Sequence, residues 1–162
     1  MSADTLSRDA RHLALPQIGE RGQRQISEAT ALLIGVGGIG CAAATYLASS
    51  GIGRLMLCDF DTVDETNLGR QVLYGPGNIG ELKSDVAAAR LRKVNPNVEV
   101  ISISERLADD ALADAIGQTD VVLDGCDNFS TRFQVNDACV KAGRRLITGS
   151  AIRLEGQLAV FG

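Results

Sequence analysis

The chain is poor in aromatic residues and has no tryptophan: aromatic residues make up 4% of its 162 residues. Its core is therefore expected to be aliphatic. It also has no long block of basic residues. Its 16 lysines and arginines are outnumbered by 20 aspartates and glutamates, which gives a net charge of −4. Nucleic acid is not expected as a partner, because proteins that bind it carry a basic patch or stripe.

Paired cysteines and a second histidine are also absent. The cysteines are scattered without a C-x-x-C pair, at Cys41, Cys58, Cys126 and Cys139. Zinc is therefore not expected in this chain, since structural zinc sites draw their ligands from such short spacings. The expectation is small buried thiols in a reducing compartment, with the cytoplasm as the location. The lone His12 offers no obvious general acid for hydride transfer.

Charged residues are missing from residues 29–53, which raises the question of a membrane span. Glycines divide this stretch at positions 35, 37, 38, 40, 51 and 53. The pieces are a short strand and a short helix, and neither can cross ~30 Å of hydrocarbon. Residues 1–11 are polar and lack the apolar region of a secretion signal, so neither a membrane nor secretion is expected.

What the chain does contain is an alternation of apolar strands and helices. Strands are expected at Ala31–Ile34, Arg54–Asp59, Val98–Ile103, Asp120–Asp124, Arg145–Thr148 and Gln157–Phe161. Helices are expected at Cys41–Ser50, Glu81–Val94, Leu107–Ile116 and Phe129–Ala142. Such alternation needs crossover connections, which predicts an α/β fold: a Rossmann-like, doubly wound, mostly parallel sheet with helices on both faces.

The segment 35–40 reads Gly-Val-Gly-Gly-Ile-Gly and joins an apolar strand to a helix of small residues. Glycines there let backbone N–H groups approach a phosphate, and the helix start adds a partial positive charge at the same point. Gly35, Gly37, Gly38 and Gly40 are therefore candidate nucleotide-binding residues. The alternative is a tight turn that only packs the helix on the strand.

Further candidates lie near strand ends, where doubly wound sheets bind their ligands. Asp59 ends the second strand about 20 residues past the glycine turn, as expected for a ribose acceptor, although a solvated turn aspartate fits the same position. Arg70 lies in the long loop 60–80, where a guanidinium binds phosphate or faces solvent. Lys83 is predicted near the start of a helix, where a cation opposes the helix dipole unless an anion such as phosphate lies nearby. Otherwise the helix begins later, or the lysine extends into water.

Asp127 follows the fourth strand, and a carboxylate beside bound phosphates is a natural Mg²⁺ ligand. The alternative is that Asp127 or Asn128 caps the helix that starts near Phe129. Two cations and a metal-type carboxylate suit a nucleoside triphosphate with Mg²⁺ better than NAD. An NAD-dependent oxidoreductase domain is the competing interpretation, and it depends on the glycine turn and Asp59 alone.

Five motifs resemble, in order and spacing, the MoeB/ThiF adenylyltransferases, which are bacterial relatives of ubiquitin-activating enzymes. They are 35–40, 57–63, 67–71 with Lys83, Asn95-Pro96, and 124–128 with Thr131-Arg132. The resemblance covers about Arg8 to Gly162. It implies that ATP and Mg²⁺ are used to adenylate the C-terminal glycine of a ubiquitin-like sulfur-carrier protein ending in Gly-Gly, with release of pyrophosphate, in molybdopterin or thiamine biosynthesis.

The resemblance also implies a role for individual residues. Gly38 would contact the nucleotide, Asp59 the ribose, Asn67, Arg70 and Lys83 the phosphates, and Asp127, next to Asn128, the Mg²⁺. Arg11 matches a family arginine that reaches the ATP of the partner subunit, which implies a homodimer. Arg11, Arg70, Lys83 and Asp127 are thus the predicted catalytic residues. Residues 1–28 would form an N-terminal arm and helix, and residues 29–162 the adenylation domain.

The chain departs from the family pattern mainly at its end. Family members usually continue through a zinc site of paired C-x-x-C motifs, a crossover loop and the surface that docks the carrier. The resemblance therefore predicts a C-terminally truncated chain, and a non-catalytic nucleotide-binding fragment is a further alternative. Smaller departures are Asp9, often aromatic in the family, and Gly69, often glutamine. The segment 151–157 looks closer to the molybdopterin-synthase branch, or is simply a loop leading into the last strand.

Overall fold

The computed structural model describes residues 8–162. The strands in this part of the chain are β1 (Thr30–Ile34), β2 (Arg54–Cys58), β3 (Glu99–Ile103), β4 (Val121–Asp124), β5 (Arg145–Ile152) and β6 (Glu155–Phe161). They form one sheet in the order β3-β2-β1-β4-β5-β6. All neighbours are parallel except β5 and β6, which are antiparallel. The predicted doubly wound, mostly parallel sheet is confirmed.

The helices of the described residues include two that precede β1 and four that connect successive strands. They are α1 (Ala10–Leu13), α2 (Gly19–Glu28), α3 (Gly38–Ser49), α4 (Lys83–Val94), α5 (Asp109–Gly117) and α6 (Phe129–Ala142). The long loop between β2 and α4 contains two short 3-10 turns, Glu65–Asn67 and Pro76–Asn78. Residues 1–7 of the predicted N-terminal arm lie outside the described residues. In the described part, no helix combines the length and apolar character that crossing a bilayer requires.

The core forms two layers because successive side chains of a strand point to opposite faces of the sheet. On one face, Ala31 and Leu33 of β1 pack with buried residues of α3 and α4. On the other, Leu32 and Ile34 pack with buried residues of α5 and α6. The core is aliphatic as expected, with Tyr74 the aromatic residue among its buried side chains. Three cysteines are buried as expected, while Cys126 is only partly buried.

Several boundaries differ from the sequence prediction by one to four residues. Helix α3 begins at Gly38 rather than Cys41, because the glycine segment itself forms the first turn of the helix. The interpretation of 151–157 as a loop is wrong: β5 runs to Ile152, β6 starts at Glu155, and the pairing of Ser150 with Gln157 continues the ladder between them. Arg153 turns the chain, with a φ of 55°.

This topology fixes where a ligand can bind. β1 lies at the centre of the sheet, between β2 and β4. The chain proceeds from β1 outward to β3 on one side and from β4 outward on the other. The carboxyl ends of β1 and β4 therefore flank the point where strand order reverses, which is the crevice in which open α/β sheets bind ligands.

Candidate nucleotide-binding site

The glycine turn lies directly at this crevice and is closely packed. Gly35 has a φ of +85°, and a Cβ on it would lie 3.0 Å from the backbone nitrogen of Cys126 in the turn after β4. A Cβ on Gly40 would lie 2.0 Å from the carbonyl oxygen of Gly35. The turn therefore packs the helix tightly on the strand, and its shape also suits the binding of a nucleotide.

The start of α3 offers backbone donors. Gly37 occupies the N-cap position, and no side chain caps the helix there. The first N–H groups of an α-helix have no partner within the helix, and the dipole adds positive charge at the same end. Because the turn consists largely of glycine, these groups lie close to the surface of the crevice.

Asp59 follows β2 beside the turn and is buried. Its Oδ2 accepts a 2.7 Å hydrogen bond from the Val36 N–H, and its Oδ1 accepts one of 2.9 Å from the Asp61 N–H. Burial raises the pKa of Asp59, while these two hydrogen bonds and the charge of Lys83 act in the opposite direction. Asp59 is therefore a fixed part of the turn rather than a solvated aspartate, and each oxygen keeps a lone pair for a ligand hydroxyl.

The long loop folds over the glycine turn. Tyr74 donates a 2.8 Å hydrogen bond from its hydroxyl to the carbonyl oxygen of Val36, which anchors the loop. Arg70 packs over Gly38, since a Cβ on that glycine would lie 3.6 Å from Cγ of Arg70. Its Nη1 donates to the Thr66 carbonyl at 2.9 Å, and the side chain is otherwise exposed. The structure thus brings Arg70 to the start of α3, as the prediction requires.

Asn67 lies in the same loop, in the first 3-10 turn. Its Oδ1 accepts a long hydrogen bond of 3.4 Å from the Asp64 N–H, which caps that turn. This contact explains why a small amide suits the position locally. The proposed contact of Asn67 with phosphate stays a prediction.

Lys83 is the first residue of α4 and is buried, so the interpretation that it extends into water is wrong. Its Nζ lies 3.0 Å from Oδ2 of Asp61. The unfavourable interaction of this cation with the helix dipole is therefore offset by a carboxylate of the protein itself. The sequence analysis considered phosphate as the anion near Lys83. In the structure the neighbouring anion is the carboxylate of Asp61.

The turn between β4 and α6 holds the remaining candidates. Asn128 is the N-cap of α6, and its Oδ1 accepts a 2.8 Å hydrogen bond from the Thr131 N–H. The capping role considered for either residue thus falls to Asn128. The carboxylate of Asp127 is exposed. Asp127 is left available to a ligand, and its role as a metal ligand remains a prediction.

Arg132 holds this turn against β5. Its Nη2 donates to the carbonyl oxygens of Cys126, at 2.6 Å, and Gly149, at 2.9 Å. The buried carboxylate of Asp124 lies 3.8 Å from Arg132 Nε and accepts a 3.1 Å hydrogen bond from the hydroxyl of Thr148. Arg132 therefore fixes the backbone from which Asp127 projects.

Replacing Arg132 with alanine is expected to destabilise the fold by about 3 kcal/mol, because buried Asp124 loses its counter-charge and two carbonyl groups lose their donor. Thermal unfolding followed by circular dichroism measures this loss. Arg90→Ala, at an exposed arginine of α4, is the matched control and should leave the midpoint unchanged. Equal midpoints for the two variants would contradict the assigned role of Arg132.

Arg11 is not part of this cluster. Its neighbour His12 lines a groove of about 510 Å³ with Ser49 and Ser50, at the opposite end of α3 from the glycine turn. That helix has 12 residues, so its ends lie about 18 Å apart. Within one protomer the structure therefore separates Arg11 from the other predicted catalytic residues, and a contact in trans remains a prediction.

The described side chains bear on two kinds of chemistry, metal binding and attack by a cysteine thiol. In the described chain, no group of three or more His, Cys, Asp or Glu side chains is arranged to hold a metal ion. A Mg²⁺ ion on Asp127 would need oxygens of the nucleotide as further ligands, which is a common arrangement for Mg²⁺. Burial raises the pKa of Cys126 to about 12. Its thiol is therefore protonated at neutral pH and is a poor nucleophile.

The sequence profile of the ThiF family matches residues 10–162 of this chain. The chain belongs to the ThiF family. The resemblance drawn from the five motifs is confirmed.

Similarity to several known proteins extends over nearly the whole of this chain. The mouse (Mus musculus) adenylyltransferase and sulfurtransferase MOCS3 is 48% identical over 99% of this chain. The molybdopterin-synthase adenylyltransferase of Salmonella typhimurium is 41% identical, also over 99%. A crystal structure of E. coli tRNA N6-threonylcarbamoyladenosine dehydratase, TcdA, in complex with ATP has a TM-score of 0.85 and 29% identity over 94% of the chain.

The chain is shorter than these relatives. It spans 35% of the mouse protein and 65% of the Salmonella protein. It also covers 64% of the E. coli dehydratase chain. The family and the fold are therefore established, whereas the activity and partners of the full-length relatives are a matter of proposal for this chain.

Two residues of this site received no role from the sequence. Asp61 and Arg132 both stand inside the quoted motifs, but charged residues in a loop and on an exposed helix face are common. The available signal was the spacing of Asp59 and Asp61, which places two carboxylates after one strand. Only the contacts with Lys83 and Asp124 distinguish Asp61 and Arg132 from surface residues.

Proposed function

We propose that this chain is the nucleotide-binding part of an adenylyltransferase. It would use ATP and Mg²⁺ to adenylate the C-terminal glycine of a ubiquitin-like sulfur-carrier protein, with release of pyrophosphate. The observation that carries the proposal is the packing of Arg70 over Gly38, which brings the side chain of a phosphate-binding type of residue to the N-terminus of α3. Asp59 on one side and Asp127 on the other supply the oxygens that a ribose and a Mg²⁺ ion require.

The reaction demands little covalent chemistry from the protein. An oxygen of the carrier carboxylate attacks the α-phosphorus, the bond from that phosphorus to the β-phosphate bridging oxygen breaks, and pyrophosphate leaves with the electron pair. The protein must align the carboxylate and neutralise the triphosphate, so positioning and electrostatics provide the catalysis. Arg70 and Lys83 would bind the departing phosphates. Mg²⁺, when bound, would neutralise phosphate charge.

Several features of the proposal concern partners. The names of the mouse and Salmonella relatives support a sulfur-carrier protein of the molybdopterin type as the substrate. A homodimer would bring Arg11 of one protomer to the nucleotide of the other, which its distance from the glycine turn in one protomer makes necessary. We also propose the division into an arm at residues 1–28 and an adenylation domain at 29–162.

The direct test is ATP–pyrophosphate exchange by the purified chain in the presence of a sulfur carrier that ends in Gly-Gly. Label from pyrophosphate should enter ATP only when carrier, chain and Mg²⁺ are all present. A carrier lacking the last glycine is the control. Exchange that does not depend on the carrier would contradict the proposal.

Binding calorimetry separates the competing interpretations. ATP with Mg²⁺ should bind, and NAD should not compete. Tight NAD binding without a response to ATP would favour an oxidoreductase domain instead. ATP binding without exchange, together with exchange by a version extended with a homologous C-terminal segment, would identify the chain as a nucleotide-binding fragment.

A further inference from the structure

Asp61 joins the two residues that are proposed to bind the ribose and the phosphates. Its backbone N–H donates to Oδ1 of Asp59 at 2.9 Å. Its carbonyl oxygen accepts a 2.9 Å hydrogen bond from the backbone N–H of Lys83. Its carboxylate oxygen Oδ2 lies 3.0 Å from Nζ of Lys83. One loop residue thus contacts both neighbours through three separate bonds.

The burial of this pair is unequal. The Lys83 side chain is 9% exposed, whereas the Asp61 side chain is 59% exposed. An ammonium group taken out of water needs a charged or hydrogen-bonding partner, and at the start of a helix it also faces the positive end of the dipole. Lys83 is therefore the member that depends on the pair, whereas Asp61 remains largely in contact with solvent.

The position of the ammonium matters for a nucleotide. The charge of Lys83 lies close enough to Asp59 to act against the rise in its pKa that burial causes, and Asp59 in turn is bonded to Val36 of the glycine turn. An ammonium has three N–H donors, of which Asp61 takes one. Within the described residues, Asp61 is the protein acceptor found for this ammonium, so its other two donors are not used by the protein.

We propose that Asp61 is a positioning residue that aims the Lys83 ammonium at the phosphates of the bound nucleotide. Asp61 does not touch the nucleotide in this arrangement. It restricts a flexible four-carbon side chain to one orientation, so that the side-chain entropy is lost during folding and not during binding. This inference rests on the proposed function and deepens it by identifying what orients its phosphate-binding cation.

The test compares ATP with adenosine, which lacks phosphates, in calorimetric titrations of the full chain. Asp61→Ala should weaken ATP binding about tenfold, the scale expected for a hydrogen bond between charged groups, and leave adenosine affinity unchanged. Asp61→Asn keeps an oxygen acceptor and should lie between the wild type and Asp61→Ala. In a Lys83→Met background, Asp61→Ala should cause no further loss of ATP affinity. Glu65→Gln removes an exposed charge from the same loop as a matched control.

Other outcomes would overturn the inference. Equal loss of ATP and adenosine affinity in Asp61→Asn would show that Asp61 has a structural role only. Unchanged or tighter ATP binding by Asp61→Ala would show that Asp61 merely competes with phosphate for the ammonium of Lys83. Additive losses in the Lys83→Met background would separate the two residues. Carrier-dependent exchange by the wild type together with any of these results refutes the role of Asp61 alone, whereas absent ATP binding by the wild type refutes the proposed function as well.

Discussion

Replacing Arg70 with alanine is expected to lower carrier-dependent ATP–pyrophosphate exchange by about 10³-fold, the scale seen when an arginine that stabilises transferring phosphates is removed. Arg70 is exposed and packs over Gly38 at the start of α3, and a guanidinium binds phosphate oxygens through two parallel hydrogen bonds. Initial rates at saturating ATP and carrier measure the effect. Arg70→Lys keeps the charge without the planar fork and should recover part of the rate.

The controls for this prediction test position as well as charge. Arg24→Ala, at an exposed arginine of α2, should leave exchange unchanged.

Asp127→Ala should also abolish most of the exchange if Asp127 holds Mg²⁺, and added Mg²⁺ should restore part of it. Wild-type rates in both Arg70→Ala and Asp127→Ala would refute the site assignments.

Placing a methyl group on Gly40 is expected to cost about 3 kcal/mol or more, because the new Cβ would overlap the carbonyl oxygen of Gly35 at 2.0 Å. The Gly35 oxygen belongs to the backbone, so no flexible side chain can move aside to relieve the overlap. The thermal midpoint of Gly40→Ala should fall by about 10 °C, which circular dichroism can measure.

A second glycine provides the matched control. Gly117 ends α5, and a Cβ there would meet nothing within 4 Å. Gly117→Ala should therefore keep or slightly raise the midpoint. If Gly40→Ala melts at the wild-type temperature, the close approach of helix and turn is not a constraint on this fold.

The sequence predicted the sheet and placed its strands and helices to within a few residues, because most strands are apolar, short and bounded by turn residues. Helix Phe129–Ala142 was predicted with the boundaries that the structure has, since Asn128 provides its cap and Gly143 its end. The β5–β6 hairpin was missed because its turn residues, Arg153 and Leu154, are not typical of turns. The two-residue connection makes the pairing antiparallel and sets its register, from Ile152 with Glu155 to Leu146 with Phe161.

The site was predictable as a set of ligand-facing residues, but not as a network. Glycines and isolated charges near strand ends can be read from the chain because their chemistry suits phosphate. The contacts of Asp61 with Lys83 and of Arg132 with Asp124 depend on tertiary packing. Such residues position other side chains through contacts with the protein, so residue type and spacing alone do not reveal them.

The floor of the crevice is made of main chain against main chain. A Cβ on Gly35 would lie 3.0 Å from the backbone nitrogen of Cys126, and a Cβ on Gly125 would lie 3.4 Å from the Gly35 oxygen. The spacing between the two walls is thus independent of the side chains around them. Substitution of Arg70 or Asp127 is therefore expected to change what the crevice binds without changing the distance between its walls.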